Sequence, residues 1–101
     1  MVEAVSLATA LSDQLQVSLP GHWLNCGGTG LGWADGAALG VKLALDDRGQ
    51  PNFVCQIVGD GAFLFGDPGA AAWVASRYNI PILTVVLNNK GPTSTIFKHC
   101  Q

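Results

Sequence analysis

The chain has 101 residues, of which 49% are hydrophobic and 12% are charged, and its formal net charge is −2. This length allows one domain at most, and the apolar, weakly charged composition excludes intrinsic disorder. The small negative charge favours neither a nucleic acid nor an anionic membrane as a partner. No apolar run reaches the length of a membrane span, and the first residues lack the pattern of a secretory signal, so we expect neither feature.

The cysteines indicate the redox compartment. Cys26, Cys55 and Cys100 are odd in number and widely spaced, which matches neither a disulfide framework nor a zinc site. They suit a reducing compartment, and we expect a cytoplasmic protein in which they are small buried residues or surface thiols.

Apolar periodicity in the first half of the chain predicts two helices separated by a loop. The first helix is predicted over residues 3–15, and the breaker Leu19-Pro20-Gly21 follows it. Residues 26–32 form a glycine-rich loop, residues 33–45 form a second, small-residue helix, and residues 46–52 form a polar turn.

The second half predicts a strand, a helix and another strand. The strands cover residues 53–58 and 82–87, and the second is almost continuously apolar. Asp67 before Pro68 is typical of a helix N-cap, and we expect this helix to run to about Tyr78. Strand, helix and strand within this length predict a parallel crossover, and apolar strands are typical of sheets covered on both faces. The predicted fold is therefore α/β, a partial doubly wound parallel sheet with helices on both faces.

Polar residues follow both predicted strands at their carboxyl ends. Asp60 lies between two glycines after the first strand, and Asn88 and Asn89 follow the second. In open α/β sheets ligands bind beyond the carboxyl ends of the strands. Carboxylate and amide oxygens suit Mg²⁺ or Ca²⁺, and Mg²⁺ is usually bound together with substrate phosphates. The pattern therefore predicts a metal-bridged phosphate ligand. A dinucleotide-binding fingerprint is disfavoured, because Trp33 stands where its last glycine would be.

Three segments resemble the thiamine diphosphate enzymes of the pyruvate decarboxylase, benzoylformate decarboxylase and acetolactate synthase group. They are GGTGLGWADGAALGVKLA, GDG followed by NN, and ASRYNIPILTVVLNNKG. EAV near residue 3 is similar to the end of the first strand of the family's diphosphate-binding domain. The resemblance covers roughly residues 3–91, and it implies thiamine diphosphate and Mg²⁺ as cofactors.

The resemblance also implies a role for individual residues. Asp60, Asn89 and the carbonyl of Gly91 would bind Mg²⁺, and the backbone around Gly61 and Ala62 would hold the diphosphate. Leu31 would be the apolar wedge that bends the cofactor, and the carbonyl of Thr29 would accept a hydrogen bond from its amine. Relatives often have serine at the position of Ala62, so a hydroxyl contact is absent here. The implied cofactor-binding residues are Thr29, Gly30, Leu31, Gly59, Asp60, Gly61, Ala62, Asn89 and Gly91.

The resemblance implies a 2-oxo acid substrate and a decarboxylase or carboligase reaction. The family's activating glutamate lies in a separate pyrimidine-binding domain, so we assign Glu3 no such role and expect the chain to be inactive alone. A homo-oligomer or a pyrimidine-domain partner would complete it. We expect residues 1–91 to be part of the diphosphate-binding domain and residues 92–101 to be a divergent tail. The alternative is a truncated, non-catalytic chain that binds other subunits, or a relic.

Overall fold

The computed structural model describes residues 1–28, 30–50 and 52–89, and these residues form three strands and four helices. Two helices lie between each strand and the next along the chain. The elements are β1 (Val2–Glu3), α1 (Ala8–Leu15), α2 (Trp33–Asp47), β2 (Cys55–Gly59), α3 (Asp60–Phe65), α4 (Pro68–Arg77) and β3 (Leu83–Leu87).

The three strands form one parallel sheet in the order β1-β2-β3, so β2 is the central strand. Glu3 of β1 pairs with Val58 of β2, and Gly59 of β2 pairs with Leu87 of β3. The carboxyl ends of all three strands therefore lie at the same edge of the sheet. Helices α2 and α3 pack against β2, while α4 contacts both of these helices. This arrangement confirms the predicted α/β fold.

Small side chains allow α2 to pack closely in the core. Ala34 and Ala38 are fully buried, four residues apart and hence on the same face of the helix. The buried face of β2 is formed by Gln56 and Val58, which alternate with half-buried neighbours. The buried apolar residues are Val2, Ala4, Ala34, Ala38, Leu39, Val54, Val58, Ala62 and Ile80.

Several predicted elements have the expected position. Helix α2 begins at Trp33 as predicted and continues two residues further, to Asp47. Helix α4 begins at Pro68, and the Asp67 carboxylate accepts a hydrogen bond from Ala70 N at 3.3 Å, which confirms the predicted cap. Strands β2 and β3 lie within two residues of their predicted bounds.

One local prediction is wrong. The helix predicted over residues 3–15 begins only at Ala8, because Val2–Glu3 is a strand that pairs with β2, as the resemblance of EAV to a strand end implied. Tertiary pairing overrides local helical periodicity here. The short helix α3, which begins at Asp60 with Gly59 as its N-cap, was not predicted from the sequence. In the part of the chain that the structure describes, no helix is both long and apolar enough to cross a membrane.

Candidate cofactor site

The carboxyl edge of the sheet brings together residues from three strand ends. Glu3 ends β1, Asp60 follows the last residue of β2, and Asn88 and Asn89 follow the last residue of β3. The register pairs Gly59 with Leu87, so Asp60 and Asn88 directly follow residues that lie side by side. The carbonyl oxygen of Glu3 would lie 4.0 Å from a Cβ atom placed on Gly59. The sequence prediction of a carboxylate and carboxamides at neighbouring strand ends is therefore confirmed for their place in the sheet.

The side chain of Glu3 caps the N-terminus of helix α2. Its Oε1 atom accepts hydrogen bonds from Gly32 N at 2.8 Å and from Trp33 N at 3.2 Å, and its Oε2 atom accepts one from Ala34 N at 2.7 Å. The first N–H groups of a helix lack partners within the helix, and a carboxylate there also interacts favourably with the helix dipole. The residue is only 3% exposed, and its carboxylate has little contact with water. The three backbone N–H groups take the place of that water as hydrogen-bond donors.

An open cleft of about 510 Å³ lies on the glycine-rich loop that leads into α2. This volume is within the range of small-molecule sites, about 300–1,000 Å³. The walls include the predicted cofactor residues Gly30 and Leu31 and the aromatic side chain of Trp33, which is 40% exposed. The described lining residues are Asn25, Cys26, Gly27, Gly28, Gly30, Leu31, Gly32 and Trp33.

Gly32 brings the cleft loop into close contact with the end of α3. Its φ angle is +90°, a conformation that residues with side chains rarely adopt. A Cβ atom on Gly32 would lie 2.8 Å from Gly66 N and from the carbonyl atoms of Phe65. Glycine is therefore required at this position by both the backbone conformation and the available space.

Asp60 occupies the first position of α3, where its Oδ1 atom accepts a hydrogen bond from Gly61 N at 3.0 Å. Ala62, the third residue of this helix, is buried. Within the described ranges no three His, Cys, Asp or Glu side chains form a cluster that could hold a metal ion. The expected Mg²⁺ site needs only one carboxylate, because its other protein ligands would be an amide oxygen and a carbonyl oxygen.

Two of the predicted site residues lie outside the described residues. These are Thr29, whose carbonyl was assigned to the cofactor amine, and Gly91, whose carbonyl was assigned to the metal. The proposed tail, residues 92–101, lies outside them as well, together with Cys100. Cys26 and Cys55 are both half-buried free cysteines.

A buried polar network joins α2 to the sheet. Gln56 Nε2 donates to Asp35 Oδ1 at 2.6 Å and to Thr84 Oγ1 at 3.0 Å, so residues of α2, β2 and β3 are connected. The sequence prediction missed this network and the cap formed by Glu3. A glutamine within the apolar run of β2 is the signal that could have indicated the network.

Comparisons with known proteins identify the family. Residues 4–97 match the family described as "Thiamine pyrophosphate enzyme, C-terminal TPP binding domain", and the chain belongs to this family. A solved structure described as a thiamin diphosphate-dependent enzyme from Mycobacterium smegmatis has a TM-score of 0.83 and 31% sequence identity. The match covers 92% of this chain and 18% of that one, and it shows the same fold.

Curated relatives include both lyases and carboligases. The chain is 42% identical over 82 residues to 2-hydroxyacyl-CoA lyase 1 of Mus musculus, covering 76% of this chain and 13% of that protein. It is 41% identical over 81 residues to glyoxylate carboligase of Escherichia coli O157:H7, covering 79% and 13%. It is 32% identical over 87 residues to benzoylformate decarboxylase of Pseudomonas aeruginosa, covering 86% and 15%. The chain thus spans about an eighth of the length of these relatives.

Proposed function

We propose that this chain provides the diphosphate-binding and Mg²⁺-binding part of a thiamine diphosphate-dependent 2-oxo acid decarboxylase or carboligase. The observation that carries the proposal is the sheet edge itself. Asp60 and the pair Asn88–Asn89 follow strand ends that are in register, and Glu3 connects the same edge to the glycine-rich cleft. A phosphate-bearing ligand at this edge of the sheet would have metal-binding oxygens beside it.

The donors at this edge fit Mg²⁺ better than a softer metal. The proposed ligands are the carboxylate of Asp60, the carboxamide oxygen of Asn89 and the carbonyl oxygen of Gly91, all of which are hard oxygen donors. No cluster of cysteine or histidine side chains competes with them in the described part of the chain. Because Mg²⁺ retains ligands from phosphates and water, three protein oxygens would leave positions for a diphosphate.

The remaining residues of the proposed site would bind and orient the cofactor. When bound, thiamine diphosphate supplies the electron sink that 2-oxo acid decarboxylation and carboligation require. Gly30 and Leu31 line the cleft, and Leu31 would support the ring system from below. Gly59, Gly61 and Ala62 would bring backbone close to the diphosphate, and the carbonyl of Thr29 would accept a hydrogen bond from the aminopyrimidine.

The proposed activity requires a further domain. Glu3 does not serve as the pyrimidine-activating acid in this proposal, because its carboxylate is already bonded to three backbone N–H groups of α2. A pyrimidine-binding domain, on a second copy of the full protein or on another chain, would supply that acid. The 101-residue chain alone would then bind the cofactor without turnover.

A second candidate is a non-catalytic chain that associates with other subunits. The observation in its favour is the exposure of large apolar side chains, among them Phe53 at 78% and Leu64 at 73%. Apolar side chains that form an exposed patch mark interaction surfaces. Such a chain would keep the fold and would have no measurable affinity for thiamine diphosphate.

Calorimetric titration of the purified chain with thiamine diphosphate distinguishes the two candidates. We expect binding in the presence of Mg²⁺ and its loss when EDTA removes the metal. The variant Asp60→Asn should lose the Mg²⁺-dependent part of the affinity, because the carboxylate is the charged ligand. Asp13→Asn, which makes the same chemical change at an exposed position of α1, serves as the control. Equal affinity of Asp60→Asn and wild type would remove Asp60 from the site, and no binding by wild type would favour the non-catalytic candidate.

A further inference from the structure

We propose that Glu3 is the positioning residue of the cofactor cleft. This inference rests on the proposed function, since it assigns to Glu3 the task of holding the loop on which thiamine diphosphate would lie. The three donors that Glu3 binds are the N–H groups of Gly32, Trp33 and Ala34, at 2.7–3.2 Å. Gly32 and Trp33 line the cleft, and Gly32 directly follows Leu31.

Strand β1 holds the cleft loop at both ends. At the start of the loop, Val2 N donates to Leu24 O at 2.8 Å, and Val2 forms an isolated parallel bridge with Asn25. At the end of the loop, the neighbouring residue Glu3 binds the first turn of α2. Two adjacent residues of one strand therefore fix the segment that carries the lining of the cleft.

The loop is also confined by the end of α3. Gly32 packs so closely against the backbone of Phe65 and Gly66 that no Cβ atom would fit. The backbone at Gly32 is thus bonded to a carboxylate and in close contact with a helix end. Removing the carboxylate would leave only the second of these constraints, so that Leu31 and Trp33 would shift with respect to the sheet.

Neither closely related side chain can replace Glu3. Glutamine would present an amide N–H₂ group in place of one carboxylate oxygen. That group would face either the N–H of Ala34 or the N–H groups of Gly32 and Trp33, so the hydrogen bonds on that side would be lost. Aspartate is one methylene shorter, and it would not reach from β1 to three amides at the observed distances. The Glu3 carboxylate binds amides at the start of α2, whereas the proposed metal ligands Asp60 and Asn89 follow the other two strands. A defect at Glu3 should therefore affect the ring end of the cofactor and spare the diphosphate end.

This separation can be tested with two probes on the full chain. We would measure the affinities of wild type, Glu3→Gln and Asp13→Asn for thiamine diphosphate with Mg²⁺ and for inorganic pyrophosphate with Mg²⁺. We expect Glu3→Gln to weaken thiamine diphosphate binding about 10-fold to 100-fold, by analogy with the loss seen when an outer-shell residue that orients a metal ligand is mutated. Pyrophosphate binding should stay within about 2-fold of wild type, because Asp60 and Asn89 are untouched. Asp13→Asn, at an exposed position, should match wild type for both probes.

Amide hydrogen exchange supplies a second measurement that does not depend on any ligand. In Glu3→Gln the amides of Gly32, Trp33 and Ala34 should exchange faster, while those of β2 should keep their wild-type rates. Equal weakening of both probes, together with uniformly faster exchange, would show a general structural role and overturn the proposal. Unchanged affinity for thiamine diphosphate would also overturn it. If wild type binds no thiamine diphosphate, the proposed function fails and the role of Glu3 fails with it. If wild type binds the cofactor and Glu3→Gln binds it equally well, only the role of Glu3 is refuted.

Discussion

Gln56 of β2 and Asp35 of α2 form a 2.6 Å hydrogen bond inside the interface between helix and sheet, where their residues are 2% and 3% exposed. The same amide nitrogen donates to Thr84 of β3. Among the buried side-chain nitrogen and oxygen atoms of the described residues, Asp35 Oδ2 and Gln56 Oε1 have no hydrogen-bond partner. A buried pair of this kind favours the observed alignment of α2 on the sheet, because an alignment that separated the two side chains would leave further buried polar atoms without partners.

Breaking this pair from either side should destabilise the protein. Asp35→Ala or Gln56→Met alone should lower the free energy of unfolding by about 1–3 kcal/mol, because each leaves a buried polar partner unsatisfied. The double variant should lose less than the sum of the two, with a coupling energy of about 0.5–3 kcal/mol. Urea denaturation of the four proteins measures this, and exposed Asp13→Ala should change stability by no more than about 0.5 kcal/mol. Additive losses would show that the two side chains do not interact.

Gly32 should be the least replaceable glycine of the cleft. Gly32→Ala must adopt a φ angle of +90° and place a Cβ atom 2.8 Å from the backbone of Phe65 and Gly66. We expect a loss of at least about 1–3 kcal/mol, the usual strain of a residue in such a conformation, and weaker binding of thiamine diphosphate. Thermal and urea unfolding provide the measurement.

Gly40→Ala is the matched control, because Gly40 lies within α2 and a Cβ atom there would meet nothing within 4 Å. Alanine stabilises a helix by about 0.5–1 kcal/mol relative to glycine, so this variant should be slightly more stable than wild type. If Gly32→Ala behaved like Gly40→Ala, the close contact between the cleft loop and α3 would be contradicted.

Patterns that depend on neighbouring residues were predicted well from the sequence. The N-cap and first-turn proline of α4, the small-residue periodicity of α2 and the apolar strand β3 each carry a local signal. It was also predictable that Asp60 and Asn88 follow neighbouring strand ends, because strand, helix and strand within a short span imply parallel neighbours. These local signals were enough to place the two strand ends at one edge of the sheet.

Features that depend on distant partners were not predictable in the same way. The helical periodicity from residue 3 gives no sign that Val2–Glu3 pairs with residues more than fifty positions away in β2, and only the resemblance of EAV to a strand end indicated a strand there. The three amides that bind Glu3 are 29 to 31 residues away in the sequence. No pattern of neighbouring residues could therefore indicate that Glu3 caps α2. The same reason applies to Asp35 and Gln56, whose side chains are 21 positions apart.

The isolated chain should release no CO₂ from pyruvate, benzoylformate or another 2-oxo acid. The acidic residue Glu3 is occupied by α2, and the proposed site includes no other group that would activate the pyrimidine ring. General acid–base assistance typically contributes about 10²–10⁴-fold to a rate, so its absence should reduce turnover to the level of free cofactor. A coupled assay with thiamine diphosphate and Mg²⁺ tests this. Release above the cofactor-only rate that disappears in Asp60→Asn would show that the chain is catalytic by itself.

The last prediction concerns the apolar side chains that the fold leaves in solvent. Phe53 is 78% exposed, Leu64 is 73% exposed and Trp73 is 62% exposed, and the edge strand β3 has exposed Leu83 and Val86. Burying one such side chain is worth about 1.5–3 kcal/mol, whereas a whole domain is stable by only about 5–15 kcal/mol. The chain should therefore be poorly soluble, associate with itself, or unfold without a sharp transition when it is purified alone.

Sedimentation and thermal unfolding over a range of protein concentrations test this expectation. Replacing exposed Leu64 by lysine should reduce self-association without lowering stability, because little packing is lost at a side chain that is already in solvent. Ser18→Lys adds the same charge at an exposed loop position and controls for charge repulsion. If both variants reduce association equally, the effect is electrostatic and the exposed apolar surface is not its cause. A soluble wild-type monomer with a sharp, concentration-independent transition would show that the exposed side chains do not limit the fold, because the buried core around α2 and β2 would then be sufficient by itself.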